Sequence, residues 1–296
     1  MMKELVFIMM TAFLAIFSCN RPAKTTGDSG AAEDMAAGYR LTEVWKSDTT
    51  LLVPESVLYD KARGVLYASD LNFEPRQKDG NGFISRLSAD GEILDLMWVG
   101  EMSSPKGMAL VGNRLYVADV DELIEVNVDE GKITGRWMLE GARMLNDITA
   151  DETGALYISD TDGNCIYRFK DGSFKVWLEG LSGPNGLLWE PGRLMMAATG
   201  SQDFSAIDLQ TGEVTLVADS IGAGDGIVST GKKGDYIVSD WSGRIFHISP
   251  DGSKELLLEL AGDQEQTADI GFIEKDMLLL VPTFFGNRVI AYRLEE

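Results

Sequence analysis

The chain has 296 residues, 26 basic against 47 acidic, for a formal net charge of −21. That balance excludes a nucleic-acid partner, which needs clustered Lys and Arg, and an apolar content of 45% excludes global disorder. The single histidine, His247, and the two cysteines, Cys19 and Cys165, exclude a multi-histidine zinc centre and a disulfide framework.

Residues 5–17 (LVFIMMTAFLAIF) form an apolar run behind Lys3. As a helix this run spans about 20 Å, short of the ~30 Å hydrocarbon core, so residues 1–18 read as an export signal and not as a membrane span. The run ends in Ile16-Phe17-Ser18-Cys19, which resembles a bacterial lipobox. Cys19 is then the lipidation site, and residues 19–38, small and polar, are a tether. A plain secretory signal with an incidental cysteine is the alternative. The expectation is an exported, monomeric lipoprotein of the periplasm or cell envelope, touching the membrane only through its anchor.

The rest of the chain repeats. Hairpin turns close on Gly91, Gly131, Gly172, Gly212 and Gly252, spaced by 40 or 41 residues. Tight hairpins require positive φ there, hence glycine. An apolar strand recurs as LYASD, LYVAD, LYISD, LMMAA, YIVSD and LLLVP, ending at 70, 119, 160, 198, 240 and 282. Trp45, Trp98, Trp137 and Trp177 recur on a strand before each boundary. A period near 40 with four short strands per unit predicts an all-β, six-bladed β-propeller over 39–296. The last unit stops after a third strand (288–294), and a surplus strand (39–48) stands at the start. Pairing the two closes the ring.

In a propeller the first strand of each blade lines the central channel. Alignment on the shared endings places Glu55, Lys106, Asn146, Asn185, Asp225 and Ala268 at one equivalent position near one mouth. Glu55, Asn146, Asn185 and Asp225 are hard oxygen donors, a set that suits one divalent cation, Ca²⁺ first, with Mg²⁺ and Mn²⁺ as alternatives. Lys106 snorkels away from the mouth, pairs with an acid such as Asp147, or meets an anionic substrate. Asp70, Asp119, Asp160 and Asp240, which close second strands, read as structural hydrogen-bond acceptors. His247 reads as strand packing, Cys165 as a buried thiol, and Met195 and Met196 as core. Trp241 either walls the pocket or packs between blades, and Phe284 and Phe285 are candidates for a lid.

Pro54-Glu55-Ser56, Asn146-Asp147, Pro184-Asn185-Gly186-Leu187 and Asp225-Gly226 resemble the metal-site motifs of the senescence marker protein/gluconolactonase family, also called regucalcin-like, along 39–296. Paraoxonases and diisopropylfluorophosphatase are more distant relatives. The resemblance implies that Glu55, Asn185 and Asp225 ligate the cation and that Asn146 is a further ligand or contacts substrate. It also implies that Asp225 serves as base or nucleophile on a lactone or related ester. Where that family places a sugar-contacting arginine, this chain has Met144, with Arg143 one residue earlier. Arg143, Lys106 and Trp241 are the candidate substrate contacts, and Asp225 and Asn146 the catalytic pair. The expected function is a metal-dependent hydrolase of a small-molecule lactone or ester. The alternative, since the LYISD repeats also resemble NHL propellers, is a non-enzymatic, surface-anchored binding propeller with at most a structural metal.

Overall fold

A computed structural model describes residues 38–260 and 266–296. The export signal, Cys19 and the tether through residue 37 lie outside the described residues. Among these residues, no helix is long and apolar enough to cross a membrane.

Six four-stranded antiparallel sheets follow one another along the chain. Blade one comprises Pro54–Asp60, Val65–Asp70, Gly82–Ser88 and Ile93–Met102, from the channel outward. Blades two to five repeat this order from inner strands Pro105–Val111, Leu145–Ala150, Pro184–Glu190 and Gly224–Ser229. Blade six takes Gly271–Ile273, Leu278–Pro282 and Val289–Glu295 from the chain's end and Arg40–Lys46 from its beginning. Arg40 pairs with Glu295 and Lys46 with Ile290, so the ring closes as the truncated last repeat predicts.

The second strands are buried throughout, as in Leu156–Asp160, or in all but their first residue, because each lies in the middle of a sheet that is covered on both faces by neighbouring blades. Met195 and Met196 fill this layer in blade four. Cys165 is buried beside Tyr167, and burial pushes its thiol pKa up, which keeps it protonated.

Three of the tryptophans and three of the hairpin glycines prove to be two halves of one interlock, while Gly212 faces Leu178 and Gly252 faces Val217 O. The Trp45 ring of blade six lies over Gly91 of blade one, Trp98 over Gly131 and Trp137 over Gly172. A Cβ on Gly91, whose φ is +85°, would come within 2.4 Å of the Trp45 ring. Gly91→Ala therefore meets two penalties, left-handed backbone at about 1–2 kcal/mol and overpacking at about 1–3 kcal/mol. The expected result is a fall in melting temperature of roughly 5–10 °C. Gly64→Ala, at φ +68° with nothing within 4 Å, should lose only the backbone part. Equal losses for the two variants would refute the interlock.

The aspartates that close second strands hold the connections between blades. Asp70 accepts from Leu52 N, Asp119 from Ser103 N and Ser104 N, and Asp160 from Arg143 N and Met144 N. Each donor belongs to the segment that enters the inner strand of the same blade from the preceding one. Asp240 instead holds Ser242 and Arg244 within its own blade. His247 packs edge-on against Tyr39, with ring centroids 4.7 Å apart, and bonds to Asp235, which ties the start of the closing strand to blade five.

Candidate functional site

The inner strands of blades one to five carry a bulge at the same end. Pairing with the second strand slips between Pro54 and Ser56, Pro105 and Met108, Leu145 and Ile148, Pro184 and Leu187, and Gly224 and Ile227. A bulge sets an extra residue against the partner strand and re-aims its side chain out of the pleat. The residues at these bulges include Glu55, Lys106, Asn146, Asn185 and Asp225, all of the aligned positions except Ala268.

The residue that follows is glycine in three blades, for a steric reason. A Cβ on Gly107 would lie 2.4 Å from Asp147 Oδ1, and one on Gly226 would lie 2.6 Å from Asp269 Oδ1. These glycines clear space for a second level of carboxylates. There Ser56 Oγ donates to Asp269 Oδ2 at 2.5 Å, and Asp147 accepts Ile148 N and Leu187 N, both at 2.6 Å. Asp147 and Asp269 line a separate cavity of about 450 Å³, further along the inner strands.

Glu55, Lys106, Asn146, Asn185 and Asp225 all line one cavity of about 460 Å³. All five are buried. The polar floor is partly self-paired. Thr161 Oγ1 donates to Pro184 O and so must accept from Asn146 Nδ2, which leaves the Asn146 carbonyl oxygen as its free end. Lys106 Nζ stands 3.8 Å from Glu55 Oε1. Its carboxylate neighbour is therefore Glu55 and not Asp147, whose two oxygens are taken by backbone N–H groups. The Asp225 carboxyl makes no hydrogen bond to another described residue.

Charge is crowded here. Burial pushes the Glu55 carboxyl up to about 7; Lys106 opposes the shift and Asp269 adds to it. Asp225 is driven well above the ordinary aspartate range by burial, then by the charges of Glu55 and Asp269. Asp147 is raised well above that range by burial and then by Asp269, and burial lifts Asp269 to about 6 against its bond from Ser56. These mutual influences place the four carboxyls within electrostatic reach of one another.

Two buried oxygens, Glu55 Oε2 and Asn185 Oδ1, have no hydrogen-bond partner. An acceptor buried without a donor is costly, and a divalent cation is a group that would satisfy such oxygens. With all four carboxyls ionised and Lys106 charged, a divalent ion still leaves the group net negative, so the ammonium does not forbid it. No cluster of three or more His, Cys, Asp or Glu side chains able to hold a metal occurs among the described residues. The set that fits here has two carboxylates and two carboxamides.

Around this floor the wall changes character. Trp241 meets Phe284 edge to face at 5.9 Å, and Phe285 meets Phe284 at 4.8 Å. Trp241 is thus a wall of the cavity. Of the two phenylalanines, Phe284 is buried against Val53, Leu71 and Ala268, while Phe285 is half-exposed. Ala268 is buried in that cluster and does not reach the cavity. Arg143 is exposed and does not line the cavity either. Asp160 holds the backbone N–H groups of both Arg143 and Met144, and of the two side chains it is Met144 that is buried and lines the cavity. Sequence reasoning also missed the 71–81 loop. It crosses from blade one to blade three, where Arg76 grips Asp162 at 3.0 Å, and to blade two, where Lys78 pairs with Asp121. It missed Asp269 too, whose signal was an acid at the position where three other blades carry glycine and blade three carries Asp147.

The molecule is a six-bladed propeller whose bulged inner strands gather buried carboxylates, carboxamides and an ammonium at one channel end. The chain belongs to the SMP-30/gluconolactonase/LRE-like family, whose profile matches residues 53–280. No curated protein matches the chain. Among solved structures it is similar to a gluconolactonase from Xanthomonas campestris, at 18% identity and TM-score 0.62 over 87% of this chain and 94% of that one. It is also similar to a calcium-binding regucalcin from Agrobacterium tumefaciens, at 21% identity and TM-score 0.61 over 81% and 85%. A virginiamycin B lyase from Staphylococcus aureus matches at 15% identity and TM-score 0.60, over 87% and 100%. At these identities the likeness is one of fold.

Proposed function

We propose that the protein is a divalent-cation-dependent hydrolase of a lactone or small ester. The observation that carries this reading is the pair of buried, unpartnered acceptors, Glu55 Oε2 and Asn185 Oδ1, in the cavity shared with Asn146 and Asp225. Those four side chains would hold the ion. Ca²⁺ suits so oxygen-rich a set, and Mg²⁺ or Mn²⁺ would be accepted by the same donors. A bound cation there supplies Lewis acidity toward a carbonyl oxygen.

The chain's own groups account for the rest of the chemistry. The Asp225 carboxyl, free of hydrogen bonds from described residues and raised in pKa by burial, is suited to take a proton from an attacking water. Asn146 is held by Thr161 with its carbonyl oxygen free, which fixes its orientation without spending its acceptor. Lys106 offers N–H donors to an oxyanion or to a carboxylate on the substrate. The half-apolar wall and the 71–81 loop limit water around the reacting bond.

The sequence signal at Cys19 supports an exported lipoprotein of the periplasm or cell envelope. Metal analysis of the purified protein, paired with a panel of lactones, aryl esters and phosphotriesters, tests the proposal. The expected result is close to one divalent ion per chain and cation-dependent turnover. Bound metal without turnover on any member would favour the binding propeller instead.

A further inference from the structure

The polar groups of the 460 Å³ cavity fall into two main sets, beside the Lys106 ammonium. One set is the acceptors of the floor, Glu55, Asn146, Asn185 and Asp225. The other is already paired: Arg76 with Asp162, Thr161 with Pro184 O, and Thr199 with Gly183 O at 3.2 Å. Lys106 is the one cation on the floor, and it stands against Glu55.

The remaining wall is apolar and in part uncovered. Trp241 and Phe285 are 40% and 44% exposed, yet both face the cavity, and Phe284 joins them through two edge-to-face contacts. Met144, Pro75 and Ala223 extend the same surface. Large aromatic side chains left open inside a concavity gain most from an apolar ligand group, at about tenfold in affinity for every two methylenes buried. A sugar ring would bury hydroxyls against this wall without partners, which costs affinity.

We propose that the substrate of this site is a lactone or ester carrying an apolar alkyl or aryl group. That group lies on Trp241 and Phe285, while the carbonyl is directed to the Glu55–Asn185–Asp225 floor. This inference rests on the hydrolase reading for the reacting bond but not for the apolar subsite, so the two can be tested apart.

The binding probe is 3-pentylcyclopentanone, a ketone that cannot be hydrolysed, compared with cyclopentanone by titration calorimetry on the Ca²⁺-loaded protein. Turnover is compared between γ-nonalactone, which carries the same pentyl chain, and glucono-δ-lactone. The pentyl chain is expected to strengthen binding by at least ~30-fold, and γ-nonalactone to be preferred in kcat/KM. Trp241→Ala and Phe285→Ala should each remove about tenfold of the chain's contribution while leaving Ca²⁺ affinity unchanged. Chain-dependent binding with no hydrolysis of any ester would uphold the apolar subsite and sink the hydrolase. Equal binding of the two ketones, no binding of either, or a preference for glucono-δ-lactone would overturn the inference, and turnover in that case would leave the hydrolase standing.

Discussion

Asp225→Ala is expected to abolish hydrolysis and divalent-cation binding together while leaving the propeller folded. The residue sits at a bulge on the inner strand of blade five, and its carboxyl makes no hydrogen bond to another described residue, so that group contributes nothing visible to the fold. Its removal takes one of two charged oxygen donors from the floor and the group best placed to accept a proton. Loss of a general base costs ~10²–10⁴ in rate, and loss of a ligand should cost more than ~100-fold in cation affinity, since even groups that only support ligands cost 10–100-fold. Because Asp225 is held above its ordinary pKa by burial, the alanine variant should melt at or above the temperature of the metal-free parent at pH 8. Calorimetric cation titration, turnover and circular dichroism on the same sample check the three parts. Full turnover with verified metal content would remove Asp225 from the mechanism.

The metal-free protein is expected to melt at a lower temperature at pH 8 than at pH 5. Glu55 and Asp70 are both pushed up by burial to about 7, from ordinary values of 4.5 and 3.8. Such groups hold a proton more tightly folded than unfolded. The folded chain therefore binds more protons between about pH 4 and 7, and its stability falls as pH rises through that window. Each group accounts for on the order of 3 kcal/mol, so the combined fall should reach roughly 10 °C.

Calcium should reverse much of this at pH 8, since a ligand at 100 times its Kd adds about 2.7 kcal/mol. It should do so less at pH 5, where protons already neutralise the floor. Differential scanning fluorimetry with and without Ca²⁺ at both values measures the difference. A calcium-induced shift that is absent at pH 8 would exclude a cation site on this floor.

The site was half legible. Glu55, Asn146, Asn185 and Asp225 stand out because inner strands recur every 40 residues or so, and equivalent positions in a ring converge on its axis. Lys106 was legible as a member of that ring, but not its partner. Which carboxylate an ammonium meets depends on side-chain direction, and the bulge turns Lys106 toward Glu55 while backbone amides occupy Asp147. Arg143 looked like a substrate contact because spacing along a chain says nothing of which way a side chain leaves it. Asp160 holds the adjoining amides, and Met144 takes the inward place. Asp269 was passed over because alignment chose Ala268, one residue before it, and blade six has the shortest inner strand.

The chain order alone determined the six blades and their closure, because the hairpin glycines, the shared strand endings and the truncated last repeat are local or periodic features. It also determined that the site would be rich in oxygen and poor in nitrogen and sulfur, since composition and repeat phase suffice for that. Only the folded ring decided which acceptors are left without donors, how far burial lifts the carboxyls, and that Trp241, Phe284 and Phe285 from two blades form one wall. Those properties depend on what lies within a few ångströms across blade boundaries, and no periodicity in a single chain encodes the distance between side chains on different blades.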